Sequence, residues 1–190
     1  MAFDATKPAG ATKIKDSDDE IRANFAAIGA VLPNLDAGGG QVKFPAEQAV
    51  SGNANTLDDY EEGDWTATLA CGTSGTITLD AEYATGAYTK VGRMVTITGQ
   101  FLVDSVSSPV GTLTLNTLPF FNGGGKKYVT SVNIWVYALE ATGATQMMGR
   151  INDSAEGILI YHYAAGVAAA AAADIKATSQ IVVNATYFTA

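Results

Sequence analysis

The densest set of chemically capable side chains is the acidic run Asp58, Asp59, Glu61, Glu62 and Asp64. Paired carboxylates can cleave glycosidic bonds, with their separation setting the stereochemical outcome. Clustered oxygen ligands can also hold Ca2+. Here the acids are contiguous in a segment that reads as linker, so no scaffold is expected to carry two of them to opposite walls of a cleft. The run is read as a solvated or subunit-bridging loop.

His162 is the single histidine, set in the strand-like GILIYHYA run between two tyrosines. A triad or zinc site needs helpers that no neighbouring His or Cys supplies, so it is read as a strand residue. Cys71 is the single cysteine. It can form no intrachain disulfide or thiolate cage and is expected to pack as a small hydrophobe. Gly123, Gly124 and Gly125 before Lys126 and Lys127 lack the Ser or Thr and the helix of a phosphate loop, and suggest a hairpin tip. Trp65, Trp135 and the eight tyrosines could build a stacking surface for sugars, though such rings also serve as core or subunit contacts. The sequence therefore assigns no catalytic residue, cofactor or metal, and the chain is expected not to be an enzyme.

Charge narrows the partners. Eleven Lys and Arg stand against nineteen Asp and Glu in 190 residues, a net charge of −8. Nucleic acid demands a cationic footprint, and anionic membranes disfavour an acidic chain, so neither nucleic-acid binding nor membrane insertion is expected. The segment MAFDATKPAGATKIK has no apolar stretch of the kind a secretory signal carries. Synthesis in the cytosol is the expectation.

The elements that must position these residues fall into three parts. Residues 1–35 open with an extended segment punctuated by Pro8 and Gly10. Asp16, Ser17 and Asp18 are candidate helix caps. Ile21, Phe25, Ile28 and Leu32 follow at four-three-four spacing, the seam of a short coiled coil, and Pro33 and Asn34 end it. Such a short single-striped helix is marginal alone, and the seam is expected to pack against symmetry mates or to dock on a larger assembly. Residues 36–63, with Gly38, Gly39, Gly40 and Pro45, read as linker; Val42 and Phe44 could form a short strand.

Residues 64–190 alternate. Trp65, Ala67, Leu69 and Cys71 share one face, as do Ile77 with Leu79 and Val95 with Ile97. Leu113 pairs with Leu115, and Val132, Ile134 and Val136 alternate against Asn133, Trp135 and Tyr137. About eight short strands between Gly, Ser, Asn and Pro clusters indicate an all-β sandwich or barrel. The alanine-rich stretch 164–173 reads as a loop leading to a helical turn near Asp174 to Lys176.

Two segments carry a resemblance. FDATKPAGATKIKDSDDEIRANFAAI, from Phe3 to Ile28, resembles the N-terminal segment of many phage tail and fibre proteins. NTLDDYEEGDWTATL, from Asn55 to Leu69, resembles the "NTLDDYEEGTWTPTL" signature that starts a β-sandwich in phage tail-fibre and minor structural proteins. It departs at Asp64 and Ala67, where that family has Thr and Pro. AYTKVGRMVTITG, TLPF and the closing IKATSQIVVNATYFTA also fit the family.

The resemblance implies a mainly β protein: a jelly-roll-like antiparallel sandwich preceded by a short helix and an extended linker. It implies a virion component, a homotrimeric tail or head fibre displaying its sandwich for host-surface attachment. Phe3, Lys7 and Pro8 would dock on other virion proteins such as a portal, adaptor, baseplate or capsid protein. The distal partner would be a host surface glycan or protein. A structural adaptor or decoration protein, or a carbohydrate-binding module, are the alternatives.

Overall fold

The computed structural model describes residues 21, 23–24, 35–36, 41–42, 44, 53, 56–57, 59–140, 146–164 and 167–189. The chain divides into a unit spanning Met1–Ala49 and a larger one spanning Val50–Ala190. In the first, Ile21, Ala23 and Asn24 are helical, as the seam spacing predicts. Strands β1 (Leu35–Asp36) and β2 (Gln41–Val42) pair antiparallel, Leu35 opposite Val42. Part of the expected linker is thus a hairpin ladder, and Phe44 lies outside the strand foreseen for it.

The second unit is an antiparallel β structure with a nearly closed sheet. Its strands are β3 (Tyr60–Thr66), β4 (Thr68–Cys71), β5 (Ser74–Leu79), β6 (Thr85–Val91), β7 (Met94–Val110) and β8 (Leu113–Asn116). They continue with β9 (Thr130–Tyr137), β10 (Gln146–Ile151), β11 (Gly157–Ala164), β12 (Val167–Ala170) and β13 (Gln180–Phe188). The hydrogen-bonded path runs β3-β6-β7-β13-β9-β10-β11-β8-β4, with β5 added on β7 and β12 on β11.

The two ends of that path are consecutive in sequence. Only Ala67 separates β3 from β4, so the expected single strand WTATLACG is two strands that pair with different partners. The chain turns a corner there while Trp65 and Ala67 stay buried and Leu69 and Cys71 stay partly buried on the same inner side. Ala67 donates its N–H to the carbonyl of Ala84, which anchors the corner.

Period-two patterning explains the core. Val95, Ile97, Phe101 and Val103 of β7 face Ile181, Val183, Ala185 and Tyr187 of β13, all at most 4 % exposed. Leu113 and Leu115 of β8 and Ile158 and Ile160 of β11 add to the same core, all fully buried. Trp65 meets Phe101 edge-on at 5.4 Å, a geometry the ring quadrupoles favour. Cys71 packs partly buried against this cluster, and burial raises its thiol pKa.

Three expectations need correction. The sheet begins at Tyr60, so Glu61, Glu62 and Asp64 belong to a strand rather than to a linker. Gly123–Lys127 is no hairpin tip: its two lysines begin a 3-10 turn, Lys126–Tyr128, inside a crossover between β8 and β9, which do not pair with each other. The alanine stretch contains β12 and a 3-10 turn at Ala172–Asp174, two residues earlier than foreseen. There, pairing with β11 overrides the helix propensity of alanine.

Candidate functional site

The acidic run is built into the start of the sandwich. Asp59, 4 % exposed, is ion-paired with Lys90, also 4 % exposed, and its carbonyl accepts the N–H of Gly92 at 2.8 Å. The Lys90 ammonium also lies 5.2 Å from the ring centre of Phe120. Tyr88 donates its hydroxyl hydrogen to Glu61 at 2.5 Å and meets Phe120 edge-on at 5.2 Å. Hydrogen bonding to Glu61, aided by burial and nearby carboxylates, pushes the Tyr88 phenol up to about 12.

Gly63 lies opposite Tyr88 in the ladder, and a Cβ there would sit 3.0 Å from the Tyr88 oxygen. Phe120 closes the group: its carbonyl accepts from the Tyr187 hydroxyl at 2.9 Å, and its N–H donates back at 3.3 Å. The four segments that carry the sandwich resemblance therefore converge. Asp59 to Asp64, Tyr88 to Lys90, Leu118 to Phe120 and Tyr187 interlock at one end of the fold. This cluster fastens structure: Asp59 is engaged by a lysine, and Glu61 and Glu62 by the tyrosines Tyr88 and Tyr60. Among the described residues no group of three or more His, Cys, Asp and Glu could hold a metal ion.

His162 has a partner that sequence spacing did not reveal. Its Nδ1 contacts Oδ2 of Asp174, a residue only 1 % exposed, and the Asp174 carbonyl accepts the N–H of Glu140 at 2.8 Å. A lone acid twelve residues after the histidine, inside an alanine tract, was the available signal. The pair ties β11 to the 3-10 turn that follows β12.

The surface with binding character lies on the outer side of β9. The alternation that buries Val132 turns Asn133, Trp135 and Tyr137 outward. Trp135 and Tyr137 are 57 % and 58 % exposed, and their rings stand 5.9 Å apart and within 20° of parallel. Large exposed aromatics side by side are unusual on a surface without a partner.

At the other end of the same strand a groove of about 480 Å³ is lined by Val129, Ser131, Met148, Gly149, Arg150 and Tyr161. Ser131 is cross-strand partner of Arg150, and Met148 of Tyr161, so these four share one outer face. The Arg150 guanidinium sits 6.0 Å from the centre of the Tyr161 ring. Gly149 points inward, where a Cβ would meet Cδ1 of Ile134 at 2.3 Å; glycine lets β10 press close to β9 beneath the groove.

The groove wall is fixed from inside. Buried Asn122 donates to the carbonyls of Tyr128 at 3.0 Å and Asn152 at 2.5 Å, which sets the chain just before Val129. Thr130 donates to the same Tyr128 carbonyl at 3.2 Å, and Arg93 donates to the Tyr128 hydroxyl at 3.2 Å. Hydrogen bonding from Lys127 and Arg93 lowers the Tyr128 phenol below its ordinary value.

Sequence reading named Trp135 among possible stacking residues but missed the groove, whose walls come from three strands. Of the anchor residues, Ile21 is helical and 51 % exposed. Phe25, Ile28 and Leu32, and the docking residues Phe3, Lys7 and Pro8, lie outside the described residues.

No family model matches the chain, and no curated protein matches it. A solved structure does: the chain is similar to part of the Dettilon tailspike protein (gp208), with 22 % identity and a TM-score of 0.59. The match covers 68 % of this chain and 24 % of that one. At this identity the two share a fold, and the chain spans about a quarter of its neighbour's length.

Proposed function

We propose that this protein is a structural component of a phage virion, a homotrimeric fibre subunit whose sandwich is displayed for attachment to a host surface. The observation that carries the reading is the convergence of Asp59, Glu61, Tyr88, Lys90, Phe120 and Tyr187. Segments scattered over the chain, each resembling phage fibre proteins, are held together by direct contacts. Their host is a fold shared with part of a tailspike protein.

The N-terminal unit supplies the anchor in this reading. Ile21 presents an apolar side chain to solvent from a helix. Three copies would bury Ile21, Phe25, Ile28 and Leu32 together, with Phe3, Lys7 and Pro8 meeting other virion proteins. Weak contacts by each displayed sandwich would gain avidity from threefold repetition.

Two measurements test it. Light scattering after size exclusion should give three times the 19.6 kDa chain mass, and Phe25→Asp with Ile28→Asp should reduce it to one. The purified protein should compete with whole particles for adsorption to host cells. A monomeric wild-type protein that leaves adsorption untouched would overturn the proposal.

A further inference from the structure

We infer that the outer face of β9, from the Arg150 groove to the Trp135–Tyr137 pair, is a binding track for an acidic saccharide, with Arg150 holding a sugar carboxylate. The inference rests on the attachment reading and names the ligand class it would use.

The groove has the size and character of a small-ligand site: about 480 Å³, mainly apolar walls, and few polar groups. Val129, Met148 and Tyr161 offer apolar surface, Ser131 a hydroxyl, and Arg150 the only charge among the described lining residues. Among the described residues Arg150 makes no ion pair. A guanidinium near a tyrosine ring and with no carboxylate partner of its own among the described residues can give its fork of N–H donors to a bidentate carboxylate. Because the chain carries a net charge of −8, it repels anions over most of its surface. An anion that binds here does so for a local reason.

The track continues in one direction. Ser131, Asn133, Trp135 and Tyr137 alternate outward along one strand. At ~3.3 Å per residue, Ser131 and Trp135 are ~13 Å apart, longer than a single sugar ring. Asn133 places an exposed amide between groove and rings. The sequence of groups is carboxylate clamp, hydrogen-bonding amide and aromatic platform. A saccharide chain has complementary groups in a complementary order: acid, hydroxyls and the apolar faces of its rings.

The test titrates the full-length protein with an oligogalacturonate and with its carboxyl-reduced, neutral counterpart, following Met and Val methyl shifts by NMR. The acidic form should bind at least about tenfold more tightly, as expected for a charge-assisted hydrogen bond. Arg150→Gln should erase that preference, and Trp135→Ala should weaken both forms. Solution mass should stay unchanged in both variants.

Equal binding of the two forms, or an Arg150→Gln variant that keeps the preference, would overturn the inference. A fall in solution mass for Trp135→Ala would overturn it too, by making the strip a contact between copies. A wild-type protein that blocks particle adsorption but ignores the acidic sugar removes this inference and leaves the attachment reading standing.

Discussion

The Tyr88 hydroxyl donates a 2.5 Å hydrogen bond to Oε1 of Glu61, and its ring lies against the backbone of Gly63 to reach it. The spacing Glu-Glu-Gly-Asp-Trp thereby acquires a physical meaning. The glycine clears the path, the first glutamate receives the phenol, and the tryptophan enters the core. Gly63→Val should cost about 1–3 kcal/mol through steric displacement of that ring. In a Tyr88→Ala background the same substitution should cost less, because the clash is gone. Urea unfolding midpoints of the four proteins measure the difference.

The same bond makes stability fall in alkali. Tyrosine ionises near 10 in an unfolded chain, whereas the folded state holds Tyr88 at about 12. The folded state thus keeps a proton that the unfolded state releases. This contribution is fully present below pH 10 and is lost as pH rises from 10 to about 12. Burial raises the Tyr187 phenol in the same direction. Tyr88→Phe should flatten the decline in thermal midpoint across that window.

Removing one member of the Asp59–Lys90 pair leaves a charge in a site from which water is excluded. Asp59→Ala should lower stability by about 3–5 kcal/mol. The paired replacement Asp59→Leu with Lys90→Met should recover most of that loss. Failure of the paired replacement to recover stability would show that the ion pair is worth more here than the apolar packing that replaces it.

His162→Phe should remove the imidazole partner of the buried Asp174 carboxylate, at a cost of about 1–3 kcal/mol. His162→Gln, which keeps a donor, should lose less. Hydrogen exchange would locate the effect: protection should drop first at the Ala172–Asp174 turn and at Glu140, whose N–H bonds to Asp174.

The strands of this fold were legible because their alternation is regular. Val132 and Ile134 against Trp135, and Leu113 with Leu115, sit on the sides that period-two spacing assigns. What escaped was set by partners distant in the chain. Ala67 turns a corner because β4 pairs with β8, and no local property of alanine announces it. The Val167–Ala170 strand exists because β11 offers an edge. The outer face of β9 was half legible for the same reason: Trp135 could be singled out, but Arg150 joins it only through the β9–β10 ladder.

Strand β13 lies between β7 and β9, with nine ladder partners on one side and five on the other. It follows both of them in the chain. Until it inserts, β7 and β9 expose bare hydrogen-bonding edges, the template on which other chains aggregate. Folding must therefore wait for the segment Gln180–Phe188, and its long-range pairings make the final step slow. A nonsense mutation before Gln180 would leave no shortened sandwich, only two half-sheets with open edges. Such chains would be recovered as inclusion bodies, and supplying residues 180–188 as a separate peptide offers a direct way to close them.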